Sequence, residues 1–162
     1  MAQVAERAGL ARSSVYQYFG SRQDILLALV AEVFPRWTER IATAMRGAAS
    51  PADAVLAYAC ENVALVAEGS HEVASALATV APGAGLDAQA AAMHRQLQEP
   101  LVNALAELGV EGAESVAEMV NAMVYAGTRM LETGRSLEEV TGYLRVLLRP
   151  LATREPAPDE AG

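Results

Sequence analysis

With one cysteine in 162 residues, Cys60, the chain has no material for an internal disulfide framework, and this usage suits the cytoplasm. Lysine is absent, so every basic side chain is an arginine. Aromatic residues make up only 5% of the chain, yet the hydrophobic fraction is 52%. That is ample for a buried core and far from the profile of a disordered chain. No apolar run approaches the roughly 18 residues that a membrane span needs. The opening MAQVAERAGLARSS mixes charges into its apolar positions and has no signal-peptide hydrophobic region. A cytoplasmic protein without membrane attachment is expected. There is also no His-Glu-x-x-His, no paired metal-ligand spacing, no glycine-rich phosphate loop and no nucleophile elbow. His71, His94 and Cys60 are the only residues of their kinds, and a lone buried cysteine is more often inert packing. No catalytic residue, metal or cofactor is therefore expected.

What is present is alanine, in quantity, with leucine, valine, glutamate and arginine behind it, a composition that suits closely packed helices. The net charge of −8 is unevenly spread. Residues 1–46 hold six arginines against Glu6, Asp24, Glu32 and Glu39, a balance of +2, which leaves −10 on the rest. Phosphate attraction needs only local positive charge, so an acidic body with a basic tip is compatible with DNA binding.

The punctuation predicts eight helices and no strand. The first covers residues 2–8 and ends at Gly9, and a second covers 12–18. A third begins at Ser21, with Asp24 completing a capping box, and runs to about Arg46 with a kink expected at Pro35. Ser50-Pro51-Ala52-Asp53 starts a helix to about Glu68. A short helix opened by Ser70 ends before Pro82-Gly83. Helices follow over 87–108 and 113–133, punctuated by Gly109, Gly112 and Gly134. The capping box Ser136-Leu137-Glu138-Glu139 opens a last helix to about Leu151. The tail TREPAPDEAG is polar and proline-rich, and disorder is expected there. The division expected is an N-terminal helix-turn-helix module with its linking helix over 1–46, a helical-bundle ligand-binding and dimerisation domain over 47–152, and the tail over 153–162.

Within VAERAGLARSSVYQYFGSRQDILLAL, two short helices joined by a three-residue glycine-containing turn form a helix-turn-helix. Val4, Ala5 and Ala8 supply an apolar face on the first helix, Val15 and Phe19 one on the second, and Ile25, Leu26 and Leu29 a third wall. Arg12, Ser13, Ser14, Gln17 and Tyr18 remain outward on the second helix, offering donors and acceptors and no acid. That inventory reads base edges and phosphates in a major groove. Tyr16 can place its hydroxyl on a phosphate, and Arg22 lies at a helix start, where an anion is favoured.

The string A-E-R-A-G-L-x-x-x-x-V-Y-x-Y-F-x-S-R-x-x-I-L resembles the signature of the TetR (tetracycline-repressor) family over about 30 residues. The resemblance implies a DNA-binding transcriptional regulator, a homodimeric repressor released from a near-palindromic operator by a small ligand. It assigns Arg12, Ser13, Ser14 and Gln17 to base-facing positions and Tyr16, Tyr18 and Arg22 to phosphate-contacting ones. Ala11 departs from the usual capping Ser or Thr, loosening the recognition helix by roughly 0.5–2 kcal/mol. In the family another helix precedes these two, whereas Met1 falls within the first turn. The chain as written is accordingly expected to bind operator weakly, and a version extended upstream to bind it tightly. The alternative is a dimeric ligand-binding or scaffold protein whose DNA binding is impaired by the shortened N-terminus.

In the body, Asn62 interrupts an apolar stripe of Val55, Ala59, Val63 and Val66, and Tyr58 flanks it. His94 borders the stripe containing Met93 and Leu97. With Trp37 on the linking helix, Tyr58, Asn62, Met93, His94 and Leu97 form the expected ligand site, since a few polar groups among apolar walls suit a small apolar or amphipathic molecule. The alternative is that Asn62 and His94 are satisfied core or boundary residues. Apolar residues cover close to half the circumference of helix 113–133, too much for a single neighbour. Val120, Met123, Val124, Gly127 and Leu131 there, with Leu144, Leu147, Leu148 and Leu151 on the last helix, are the expected dimer interface, Gly127 permitting close approach. Ordinary intramolecular core is the alternative for these positions.

Overall fold

A computed structural model of the chain describes residues 18–20, 22–68 and 88–152. It is all helical over them, with no strand. Five helices follow one another: α1 (Arg22–Arg46), α2 (Pro51–Ala67), α3 (Ala88–Glu107), α4 (Ala113–Glu132) and α5 (Leu137–Ala152). The expected boundaries of these five hold to within a residue or so. The expected helices at 2–8, 12–18 and after Ser70, the cap at Ser21 and the tail after Ala152 lie outside the described residues.

Local chemistry explains where the helices begin and end. The Ser50 hydroxyl accepts from the Asp53 amide at 3.1 Å, satisfying an orphan donor, while Pro51 needs no partner at the first position. At α5 the box is reciprocal: the Glu139 amide donates to the Ser136 hydroxyl at 3.2 Å, and the Ser136 amide to the Glu139 carboxylate at 2.9 Å. Backbone and hydroxyl donors of Ser136, then Arg135, hold the Glu139 carboxyl below the usual carboxylate range. Gly134 ends α4 with φ +94°, a left-handed turn that lets the Arg135 amide reach back to the Met130 carbonyl at 3.0 Å. α1 runs through the exposed Pro35 as one helix, and the Thr38 hydroxyl donates to the Phe34 and Pro35 carbonyls.

α2 is the hub, packing on α1, α3, α4 and α5. No charge lies between Asp53 and Glu61, so this helix has several faces to bury rather than one. Val55, Ala59 and Val63 have no exposure, and α3 brings Leu101 and Leu105 against the same core, also fully buried. Each such leucine or valine contributes about 1.5–3 kcal/mol by leaving water. Trp37 and Ile41, at helical spacing, seat the second half of α1 in this body.

The expected interface residues of α4 and α5 are corrected by this packing. Val120, Val124, Gly127, Leu144 and Leu148 are buried inside the chain itself, because α2 already fills the space they face. Met123, Leu131 and Leu151 are half-buried at the core's edge, and of the nine only Leu147 stands exposed, at 57%. Gly127 does permit a close approach, but an internal one. A Cβ there would lie 2.9 Å from Val140 Cγ1 on α5 and 3.0 Å from Val63 Cγ1 on α2. Gly127→Ala should therefore destabilise the fold by about 1–3 kcal/mol. Gly142→Ala, where nothing lies within 4 Å of the added carbon, should be neutral or stabilising by up to about 1 kcal/mol. Urea midpoints of the two variants check this. Equal shifts in one direction would refute the close packing around Gly127.

Candidate functional site

Tyr18 is 79% exposed and Phe19 half-buried, so of these neighbours the tyrosine is the one open to an outside partner. Arg12, Ser13, Ser14, Tyr16 and Gln17 lie outside the described residues. Arg22 opens α1, although its side chain falls outside what is described.

Within the body, Trp37, Tyr58 and Asn62 are brought together. The Trp37 indole Nε1 donates to the Asn62 side-chain oxygen at 3.0 Å, and the Asn62 amide nitrogen donates to the Tyr58 carbonyl at 2.8 Å. The Tyr58 hydroxyl donates to Asn121 Oδ1 at 2.9 Å. Trp37, Tyr58 and Asn62 are 4%, 3% and 8% exposed, so a missing partner would leave a polar group stranded at a cost of roughly 1–3 kcal/mol. Burial pushes the Tyr58 hydroxyl well above its ordinary value, and the phenol stays a donor. Leu97 is half-buried against the same core, while the side chains of Met93 and His94 lie outside the described set. Asn121 escaped the sequence reading. Its signal is a lone amide between apolar residues of α4, which periodicity alone cannot pair with Tyr58.

At the outer edge of the same contact, Arg40 grips two carboxylates of α2. Its guanidinium donates to Glu61 and Glu68, with a further bond to Glu68 at 3.1 Å. Elsewhere on the surface, the exposed large hydrophobic residues among those described are, besides Tyr18, all on α4 and α5: Met119, Tyr125, Met130, Tyr143, Val146 and Leu147.

Residues 1–29 match the family model for bacterial regulatory proteins of the tetR family. The N-terminal segment is thus similar to that of tetR-family regulators. That family is one of DNA-binding transcriptional regulators with a helix-turn-helix. No curated protein and no solved structure matched the chain.

The tetR match ends at residue 29, inside α1, so the helix that closes the matched segment is the one seated in the body by Trp37 and Ile41. No flexible linker separates the two. Cys60 is half-buried, and burial pushes its thiol up, away from the thiolate a nucleophile needs. His71 lies outside the described residues. Among those described, no group of three or more His, Cys, Asp or Glu could hold a metal ion, and no helix is long and apolar enough to cross a membrane.

The Arg40 clamp carries a pH dependence with a defined sign. Hydrogen bonding from Arg40 holds the Glu68 carboxyl below its ordinary value. A carboxyl depressed in the folded state stabilises above its unfolded value, and the contribution is lost as pH falls through the lowered one. Exposed pairs of this kind contribute little singly and more when networked. Arg40→Gln should lower the urea midpoint at neutral pH in low salt, and the gap from wild type should close well below pH 4 and in about 1 M salt. A gap that persists under both conditions would show that Arg40 acts through packing instead.

Proposed function

We propose that the chain is a homodimeric transcriptional repressor that leaves a near-palindromic operator when a small apolar or amphipathic ligand enters its body. The observation that carries this reading is the tetR match over residues 1–29, continued by α1 into the core of the body. Two copies would set two recognition helices into successive major grooves, roughly 34–36 Å apart, a spacing that tolerates little error. Arg12, Ser13, Ser14 and Gln17 would face bases, and Tyr16, Tyr18 and Arg22 phosphates. The module would comprise residues 1–46, the ligand-binding and dimerising domain 47–152.

The ligand would meet Trp37, Tyr58, Asn62, Met93, His94 and Leu97. A molecule entering there competes with the bonds that Trp37, Asn62 and Tyr58 make to one another, and so loosens the seat of α1. It would drive release only by binding the conformation without DNA more tightly. Dimerisation would use the outward stripes of α4 and α5. Met119, Ala122 and Met130 on α4, and Tyr143, Val146 and Leu147 on α5, lie on faces turned away from the core residues of their own helices. Such a second apolar stripe on two neighbouring helices is what a two-fold four-helix interface needs. A cytoplasmic site of action follows from this reading.

Selection of bound fragments from a random-sequence DNA pool, followed by titration at several salt concentrations, tests the proposal. Enrichment of an inverted repeat, with affinity falling steeply as salt rises, is the expected result. Recovery of no preferred sequence would sink it.

A further inference from the structure

The buried polar groups of the body form one connected path. It starts at the Trp37 indole on α1, passes through the Asn62 amide and the Tyr58 residue on α2, and ends at Asn121 on α4. We propose that Asn62 is the positioning residue that fixes the register of α1 on the body, and that Tyr58 and Asn121 tie this register to α4. In its consequence for operator binding, the inference rests on the function proposed above.

The physical reason is the difference between apolar and directional contact. Trp37 and Ile41 bring apolar surface into the core around α2, and such a contact loses little by turning or sliding a fraction of a residue, because burial is not directional. The Trp37–Asn62 bond has one seat. Its 3.0 Å length leaves little room before the bond is gone, and a displaced Asn62 oxygen would remain buried without a partner. The amide cannot swing to follow α1, because its nitrogen is held by the Tyr58 carbonyl four residues back in the same helix. That second bond also fixes which end of the amide faces Trp37, since only the nitrogen can donate to a carbonyl. A single polar residue in an apolar seam sets register in just this manner in helical assemblies.

The Arg40 clamp plays a different part. Arg40 lies three residues after Trp37 on α1, and its partners Glu61 and Glu68 lie on either side of Asn62 on α2. It is half exposed, long and flexible, so it adds hold while tolerating shifts that the buried bond would not. α1 is one continuous helix through Pro35. Arg22, at its start and within the matched segment, lies about 22 Å along the axis from Trp37. A rotation permitted at Asn62 would therefore be carried to the DNA-reading end.

The test is hydrogen–deuterium exchange on the full chain, read by peptide, for wild type, Asn62→Leu, Trp37→Phe and Tyr58→Phe. Asn62→Leu keeps the number and branching of heavy atoms and removes both bonds. Trp37→Phe keeps an aromatic ring and removes the indole N–H together with part of the bicyclic ring. Both should speed exchange in residues 34–46 about tenfold or more, with α5 unchanged and total helicity retained. Tyr58→Phe, which removes one hydroxyl, should speed exchange around Asn121 and, to a smaller degree, in residues 34–46. Protection of 34–46 within twofold of wild type in both Asn62→Leu and Trp37→Phe would overturn the proposal. So would loss of helicity throughout the molecule in both, which would assign Asn62 to general core stability. A Tyr58→Phe response absent from 34–46 would remove α4 from the path. The exchange readout needs no DNA, so a chain that selects no operator would end the regulatory reading and leave this result standing. On a recovered operator, Asn62→Leu should weaken binding at least tenfold without changing the dimer dissociation constant.

Discussion

Replacing Val146 and Leu147 together by aspartate should convert the protein to a folded monomer, raising the dimer dissociation constant by about a thousandfold or more. The two side chains are 72% and 57% exposed in the single chain and project from α5 about 100° apart, both clear of its buried stripe. Burial across an interface would contribute about 1.5–3 kcal/mol for each, and because a two-fold interface loses both side chains from both protomers, the loss exceeds the roughly 4 kcal/mol that a thousandfold change requires. Two carboxylates in the same place would also have to shed water without a partner. Leu144→Asp provides the contrast, because Leu144 is 2% exposed and packs inside its own chain. That variant should unfold the protomer rather than separate two of them. Sedimentation and far-UV circular dichroism distinguish the outcomes. A wild-type chain that is itself monomeric at micromolar concentration would sink the proposed interface, whatever the variants do.

Gln17→Ala should cost about 1–3 kcal/mol of operator affinity at particular base pairs and little elsewhere, whereas Arg22→Ala should weaken all sequences alike. A glutamine pairing with a base edge contributes only where that base is present, while a guanidinium facing a phosphate finds one in any duplex. Arg22→Ala should reduce the slope of log affinity against log salt by about one, as expected when one fewer phosphate is neutralised by the protein. Gln17→Ala should leave that slope unchanged. Tyr18, exposed beside Phe19, should behave like Arg22 in its indifference to sequence when changed to Phe. Titrations on the selected operator and on single-base variants of it give the answer. A Gln17→Ala effect spread evenly over all variants would remove Gln17 from base reading.

Several features were legible in the residues alone, because the forces behind them are local. Ser50 with Asp53, Ser136 with Glu139, and Gly134 set helix ends through bonds that span only a few residues, and the structure shows those bonds. The tetR signature was legible for a similar reason, since a compact module needs its packing and contact residues at fixed offsets within about 30 positions. The width of apolar cover on α4 was also readable, and it correctly implied more than one apolar neighbourhood.

What the residues could not tell was which half of that cover belongs to the chain's own core. Periodicity gives each side chain an angle about its helix axis but says nothing of which neighbour occupies that angle. Only the placement of α2 assigned Val120, Val124, Gly127, Leu144 and Leu148 inward and left Met119, Met130, Val146 and Leu147 outside. The same holds for the polar groups. Trp37 and Asn62 are separated by 25 residues and Tyr58 and Asn121 by 63, so their pairing depends on how whole helices pack. Length, spacing and capping thus determined the helices and the DNA-reading motif. Partnership between distant side chains was decided by tertiary packing, because a hydrogen bond requires its two atoms within about 3 Å and nothing local in the chain brings them there.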